Sequence, residues 1–156
     1  MKRYVLPILV CGALLLSGCQ NGLSLNMPQL GGARMSDEER VAAVLDDVQR
    51  GIEAHRIYKV LAHLSRSYFD KEGRDYAAMQ EQLTQVFEKY SRMRVTRVRP
   101  RIAVAGGRAQ AVETFALTAD PQNRNEDPPV EWQGRVTIYL ALIGNTWKIV
   151  EVGPVR

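Results

Sequence analysis

The feature that most constrains this chain is a change of hydrophobic period near Tyr90. Before it, apolar residues recur at three- and four-residue spacing, the signature of helices buried on one face. After it they alternate, the signature of strands with one face buried. Ser36-Asp37-Glu38-Glu39 has the form of a capping box, and Val41, Val44, Leu45, Val48 and Ile52 follow as one stripe. Gly51 is expected to weaken the end of that helix. A break near His55-Arg56 precedes a second short helix carrying Ile57, Val60, Leu61 and Leu64. Tyr68-Phe69 is an aromatic stop, Asp70 to Arg74 a polar turn, and Asp75 the cap of a third helix with Tyr76, Met79, Leu83, Val86, Phe87 and Tyr90.

The strands are expected over Met93 to Arg99, Ile102 to Ala105, Ala109 to Ala119, Val130 to Ile143 and Thr146 to Val152. Gly106-Gly107 and Gly144-Asn145 are hairpin turns, and Pro100 favours an edge, an end or a bulge. Helices followed by four or five antiparallel strands make an α+β layout, with the helices packed on the sheet. The segment from Ser36 to Arg156 is read as one domain, large enough to fold without staples.

Ahead of it lies a different kind of sequence. Lys2 and Arg3 are a positive start, and Val5 to Leu16 is an apolar run of roughly a dozen residues, short of the ~20 that span a bilayer as a helix. Together with the small residues before a junction they describe a signal peptide over residues 1–18. Leu16-Ser17-Gly18-Cys19 resembles the lipobox of bacterial lipoproteins. That resemblance implies that Cys19 becomes the first mature residue and carries acyl chains such as palmitate, which anchor the protein to the membrane. Gln20 stands where an Asp would imply inner-membrane retention, so the expected location is the outer membrane, facing the periplasm. Residues 19–35, rich in Gly, Asn, Ser and Pro, read as a tether with a reach of about 20–24 Å.

Four segments carry a second resemblance. They are Val48 to Phe69, Phe69-Asp70-Lys71-Glu72-Gly73-Arg74, Gly106-Gly107-Arg108-Ala109-Gln110-Ala111 and Gly144-Asn145-Thr146-Trp147-Lys148-Ile149-Val150. In this order they resemble the nuclear-transport-factor-2-like superfamily, which includes the polyketide-cyclase-like and ketosteroid-isomerase-like proteins. The resemblance implies a curved sheet wrapped against helices to form a cone with an internal pocket, and a homodimer, since dimers are common there. These motifs are structural and carry no chemistry.

Chemistry has few places to sit. The formal net charge of +4 falls by two, to +2, once Lys2 and Arg3 are set aside, which does not describe a nucleic-acid binder. Both cysteines, Cys11 and Cys19, precede the domain, so neither a disulfide framework nor a Cys-ligated metal is expected in it. His55 and His63 lack the spacing of a metal pair, and Asp70 to Gly73 lacks the ligand series of a calcium loop; no cofactor is expected. Period two puts Glu113 on the same strand face as Ala109, Ala111, Phe115, Leu117 and Ala119. If that face looks into the cone, Glu113 is a pocket carboxylate suited to act as a base; if the face parity switches at a bulge, it is solvated or paired with an arginine. Tyr58, Tyr68 and Tyr139 are candidate hydroxyl donors beside it, Tyr58 first. Arg92, Arg94, Arg97, Arg99 and Arg101 form either a contact for anionic head groups or an acidic partner, or a solvated strand face.

Two classes of function stay open. One is a non-catalytic envelope lipoprotein whose cone binds an apolar small ligand or another envelope protein. The other is an isomerase- or cyclase-type enzyme using Glu113 with tyrosine donors. The second carboxyl group that such an isomerase needs at the oxyanion has no evident place in the sequence, which favours the first.

Overall fold

The computed structural model describes residues 34–156. The signal peptide, Cys19 and the tether up to residue 33 lie outside the described residues. Three helices, α1 (Asp37–Glu53), α2 (Ile57–Leu61) and α3 (Tyr76–Lys89), are followed by five strands: β1 (Tyr90–Arg97), β2 (Arg101–Ala105), β3 (Arg108–Pro121), β4 (Val130–Ile143) and β5 (Thr146–Val152). The α+β reading holds.

Local chemistry fixes the helix ends as expected. The Ser36 hydroxyl accepts from the Glu39 amide at 3.2 Å while the Glu39 carboxylate accepts from the Ser36 amide at 2.7 Å. Asp75 caps α3 through the Ala78 amide at 2.9 Å. Gly51 does something other than weaken α1, which continues to Glu53. A β-carbon at Gly51 would lie 2.8 Å from Val60 Cγ2, so the missing side chain lets α1 and α2 pack closely. Between them His55 takes the left-handed conformation, with φ of 51°.

The sheet is antiparallel and built around β3. Its first half pairs with β2 and its second half with β1, both along the same edge, while β4 pairs along the other edge and β5 follows β4. Pro100 sits in the gap where the chain passes from β1 to β2, the position that needs no ladder donor. Beyond β5, residues 63–69 run along its free side, with Ile149 donating to the His63 carbonyl and Ser65 to the Ile149 carbonyl, both at 2.8 Å. The C-terminus pairs with β4: the amides and carbonyls of Arg135 and Arg156 exchange hydrogen bonds at 2.9 and 3.0 Å. A β-carbon at Gly134 would stand 2.4 Å from Val155 Cγ1, which explains glycine there.

The core lies between α1, α2 and the inner faces of β3, β4 and β5. Trp147 and Ile149 share the packed face of β5, opposite Leu142 and Leu140. Tyr139 falls on the other face of β4 from the buried Ile138 and Leu140 and stays half-buried. The polar turn after Tyr68 is closed by a buried aspartate. Asp70 accepts from the Tyr68 hydroxyl at 3.0 Å, the Glu72 amide at 3.1 Å, the Arg74 amide at 2.9 Å and Arg74 Nε at 2.7 Å. Burial alone raises the Asp70 pKa, but these hydrogen bonds outweigh it and hold the carboxyl below its usual range.

Candidate functional site

One helix is incompletely packed, and it leads to the site. α3 is amphipathic, yet none of its side chains is fully buried. Its apolar residues Met79, Leu83, Val86 and Phe87 face a cavity of about 340 Å³ between the helices and the concave face of the sheet. That volume falls at the lower end of the range for small-molecule sites, about 300–1,000 Å³. α1 contributes Leu45, Val48 and Ile52 to the wall, and the sheet contributes Phe115, Leu117, Ile138 and Ile149. Trp132 stands at the rim, 48% exposed, with its ring edge-on to Phe115 at 5.3 Å between centroids.

Three lining residues are polar and they adjoin one another: Gln49, Arg97 and Glu113. Glu113 is 6% exposed and points inward from β3, as the strand alternation requires. Arg97 is the last residue of β1 and lies opposite Phe115, so Glu113 is its diagonal neighbour on the same face. Its Nη1 donates to Glu113 Oε1, its Nη2 to Asp46 Oδ1 and its Nε to Gln49 Oε1, the last at 2.6 Å. Gln49 Nε2 donates to the Val95 carbonyl at 2.7 Å, and Glu53 Oε1 accepts from the Val95 amide at 2.9 Å. Asp46, Gln49 and Glu53 recur at three- and four-residue spacing along one side of α1; Gln49 and Glu53 satisfy the Val95 backbone groups on edge strand β1, and Asp46 accepts from the Arg97 side chain.

The two readings of Glu113 turn out to coexist. It is a pocket carboxylate and it is paired with an arginine. Burial pushes its pKa up; the Arg97 charge and hydrogen bond pull it down, and the nearby Asp46 charge pushes it up again. The net direction is upward.

The tyrosines expected beside it are elsewhere. Tyr58 is 81% exposed on α2 and lines a shallow outer groove with Tyr76, Ile143 and Lys148. A helix of five residues has no room for a second face, and Val60 and Leu61 take the buried one. Tyr68 is buried but committed to Asp70, and burial raises its hydroxyl pKa. Tyr139 lies on the other face of β4. Among the described residues Glu113 therefore has no tyrosine donor on the cavity wall, and the catalytic pair of Glu113 with Tyr58 is not assembled.

The five arginines do not form one face either. Arg97 turns inward, and Arg92 pairs with Asp120 at 2.9 Å from a left-handed backbone, φ 43°, inside the irregular stretch of β1 between Ser91 and Arg94. Arg94, Arg99 and Arg101 are exposed. His55 Nε2 lies 2.9 Å from the Tyr90 carbonyl, and His63 lies 3.3 Å from Asp47 with a pKa lowered chiefly by burial. Among the described residues no cluster of three or more His, Cys, Asp or Glu is placed to hold a metal. Asp46 and Gln49 are site residues that the sequence reading missed. Their one trace was a polar row beside the apolar stripe of α1.

No protein-family model matches the chain, and no curated protein matches it. Solved structures do. A candidate scytalone dehydratase from Novosphingobium aromaticivorans superposes with a TM-score of 0.67 at 10% identity, over 75% of this chain and 80% of that one. A nuclear transport factor 2-like superfamily protein from Salmonella enterica serovar Typhimurium gives 0.63 at 19% identity, over 74% and 87%. The domain has the nuclear-transport-factor-2-like fold. A type 2 hexachlorocyclohexane dehydrochlorinase, LinA, gives 0.62 at 9% identity, over 75% and 84%. At these identities the likeness establishes architecture and leaves the chemistry to the residues of the cavity.

The raised pKa of Glu113 sets the sign of a pH effect. Its contribution to stability is fully present below the ordinary glutamate pKa of about 4.3 and is lost as pH rises through the higher folded value. Glu113→Gln removes that titration. Across pH 4 to 8 the variant is expected to gain stability relative to wild type, and to be at least as stable near neutrality. Chemical denaturation of both proteins over that range measures it. A variant that loses ground as pH rises would mean that Arg97 outweighs burial.

Proposed function

We propose that this protein is a lipid-anchored envelope protein whose cone binds a small apolar ligand without turning it over. The observation that carries the reading is the cavity under α3, apolar over most of its wall, with one polar cluster to orient a guest. A helix that leaves its apolar face unburied gains contacts when a guest fills the space. The non-catalytic part rests on Glu113. Its Oε1 is held by Arg97, and neither a histidine nor a tyrosine stands beside it on the wall.

A second reading has a specific observation in its favour. A buried carboxyl with a raised pKa is a plausible base for proton abstraction, and fold neighbours include a protein named as a dehydrochlorinase. It lacks a group to stabilise the developing anion and receive a leaving group, so binding is the better supported of the two.

The cavity reading predicts that an apolar fluorescent dye such as N-phenyl-naphthylamine binds with a blue-shifted emission and one site per chain. Leu83→Trp, which fills the space from α3, is expected to abolish dye binding while the protein stays folded by circular dichroism. Equal dye binding by the variant would move the site elsewhere.

Anchoring rests on Leu16-Ser17-Gly18-Cys19, with Gln20 favouring the outer membrane. Each buried methylene of an acyl chain contributes about 0.8 kcal/mol, so two or more chains hold a protein stably at a bilayer. Among the described residues no helix is long and apolar enough to cross a membrane. Metabolic labelling with palmitate is expected to tag the wild type and leave Cys19→Ser unlabelled; equal labelling would remove the lipoprotein reading.

A further inference from the structure

We infer that the cavity selects apolar molecules carrying a neutral hydroxyl donor and rejects those carrying a carboxylate. The inference rests on the reading of the cavity as a ligand site and adds the chemical class of the ligand. It comes from counting charges and hydrogen-bonding atoms at the polar wall.

The single guanidinium there is already shared by two carboxylates. Arg97 gives Nη1 to Glu113 and Nη2 to Asp46, while its Nε goes to the neutral Gln49 amide oxygen. With both acids ionised the cluster has an excess of one negative charge, and Arg97 is its only cation. A fatty-acid-like head group entering this wall would bring a third carboxylate to one guanidinium, and like charges brought together in a desolvated site repel strongly.

The same bookkeeping shows what the wall can accept. Gln49 uses its oxygen on Arg97 and its amide nitrogen on the Val95 carbonyl. Glu113 uses Oε1 on Arg97, and among the described residues nothing donates to Oε2. Glu113 lines the cavity, so Oε2 is the acceptor left for a guest, beside the second hydrogens of Arg97 Nη1 and Nη2 and of Gln49 Nε2. A hydroxyl supplies the donor without adding negative charge. Apart from the Trp132 indole N–H at the rim, the rest of the wall offers van der Waals contact to an apolar body.

The test is displacement of the bound dye by three molecules of similar length: octanol, octanoate and heptyl methyl ether. It is run at about pH 8, where free carboxyl groups are ionised. Octanol is expected to displace the dye at a concentration about tenfold or more below that for octanoate, with the ether between them. In Glu113→Gln the discrimination against octanoate is expected to shrink, because one of the two competing carboxylates is gone. Octanoate displacing the dye as well as octanol, or an unchanged preference in the Gln variant, overturns the inference while leaving the apolar site in place. Failure of all three to displace the dye overturns the inference and the cavity reading together.

Discussion

The structure depends on one strand having both edges occupied along most of its length. β3 holds β1 and β2 end to end on one edge and the full length of β4 on the other. From Arg97 to Arg101 the chain advances four residues while β3 advances three, from Phe115 to Val112, and this passage through Val98 to Pro100 is where the sheet's edge is interrupted. Only one ladder bond is kept there, from the Val98 amide to the Thr114 carbonyl at 3.0 Å. Arg97 sits at the end of β1, beside that interruption, which is why its side chain can reach α1 and β3 together. The polar wall of the cavity is thus a consequence of how the sheet edge is divided.

The ion pairs on that wall are better understood as fixing geometry than as adding stability. Desolvating a guanidinium and a carboxylate takes back much of what their attraction returns, and a buried pair often breaks even against apolar residues of the same volume. Removing Arg97 is a different matter, because Glu113 is left buried with its charge, whereas Arg97 keeps Asp46 when Glu113 is neutralised. Arg97 is 10% exposed and Glu113 7% at the side chain, against 55% for Asp46. The cluster therefore grades from solvent to cavity: Asp46 is wet, Arg97 bridges, and Glu113 bears the desolvation that raises its pKa. This gradient fixes α1 to β1 and β3 at one side of the cone while α3, without buried side chains, closes the other side loosely.

What the sequence made legible was whatever depends on near neighbours. The caps at Ser36 and Asp75 and the Gly106-Gly107 turn follow from spacing over a few residues, and each is found in place; alternation put Glu113 on one face with Ala109, Ala111 and Phe115 but left open whether that face turned inward. The cone itself was legible through its connecting motifs, of which the Asp70 turn is one: a buried carboxylate must be satisfied, and the following residues supply its donors. The rest depended on distant contacts. Gly51 read as a weak point because nothing local reveals that Val60 approaches its α-carbon. Tyr58 read as a pocket residue because a five-residue helix has no periodicity from which to decide its facing. The arginines read as one group, although alternation alone sets Arg92 and Arg94 on the opposite face from Arg97; what local spacing hides is the extra residue between β1 and β2, which parts Arg97 from Arg101.

The central claim is that the space beneath α3 is an open apolar chamber able to take a guest. Apolar cavities that stay dry admit xenon, which binds by dispersion alone and needs no knowledge of the natural ligand. Crystals of the domain pressurised with xenon are predicted to show a bound atom between Leu83 and Phe87 of α3 and Leu117 and Ile138 of the sheet, with those side chains unmoved. A structure in which α3 has closed onto the sheet, with no xenon between them, would contradict the account.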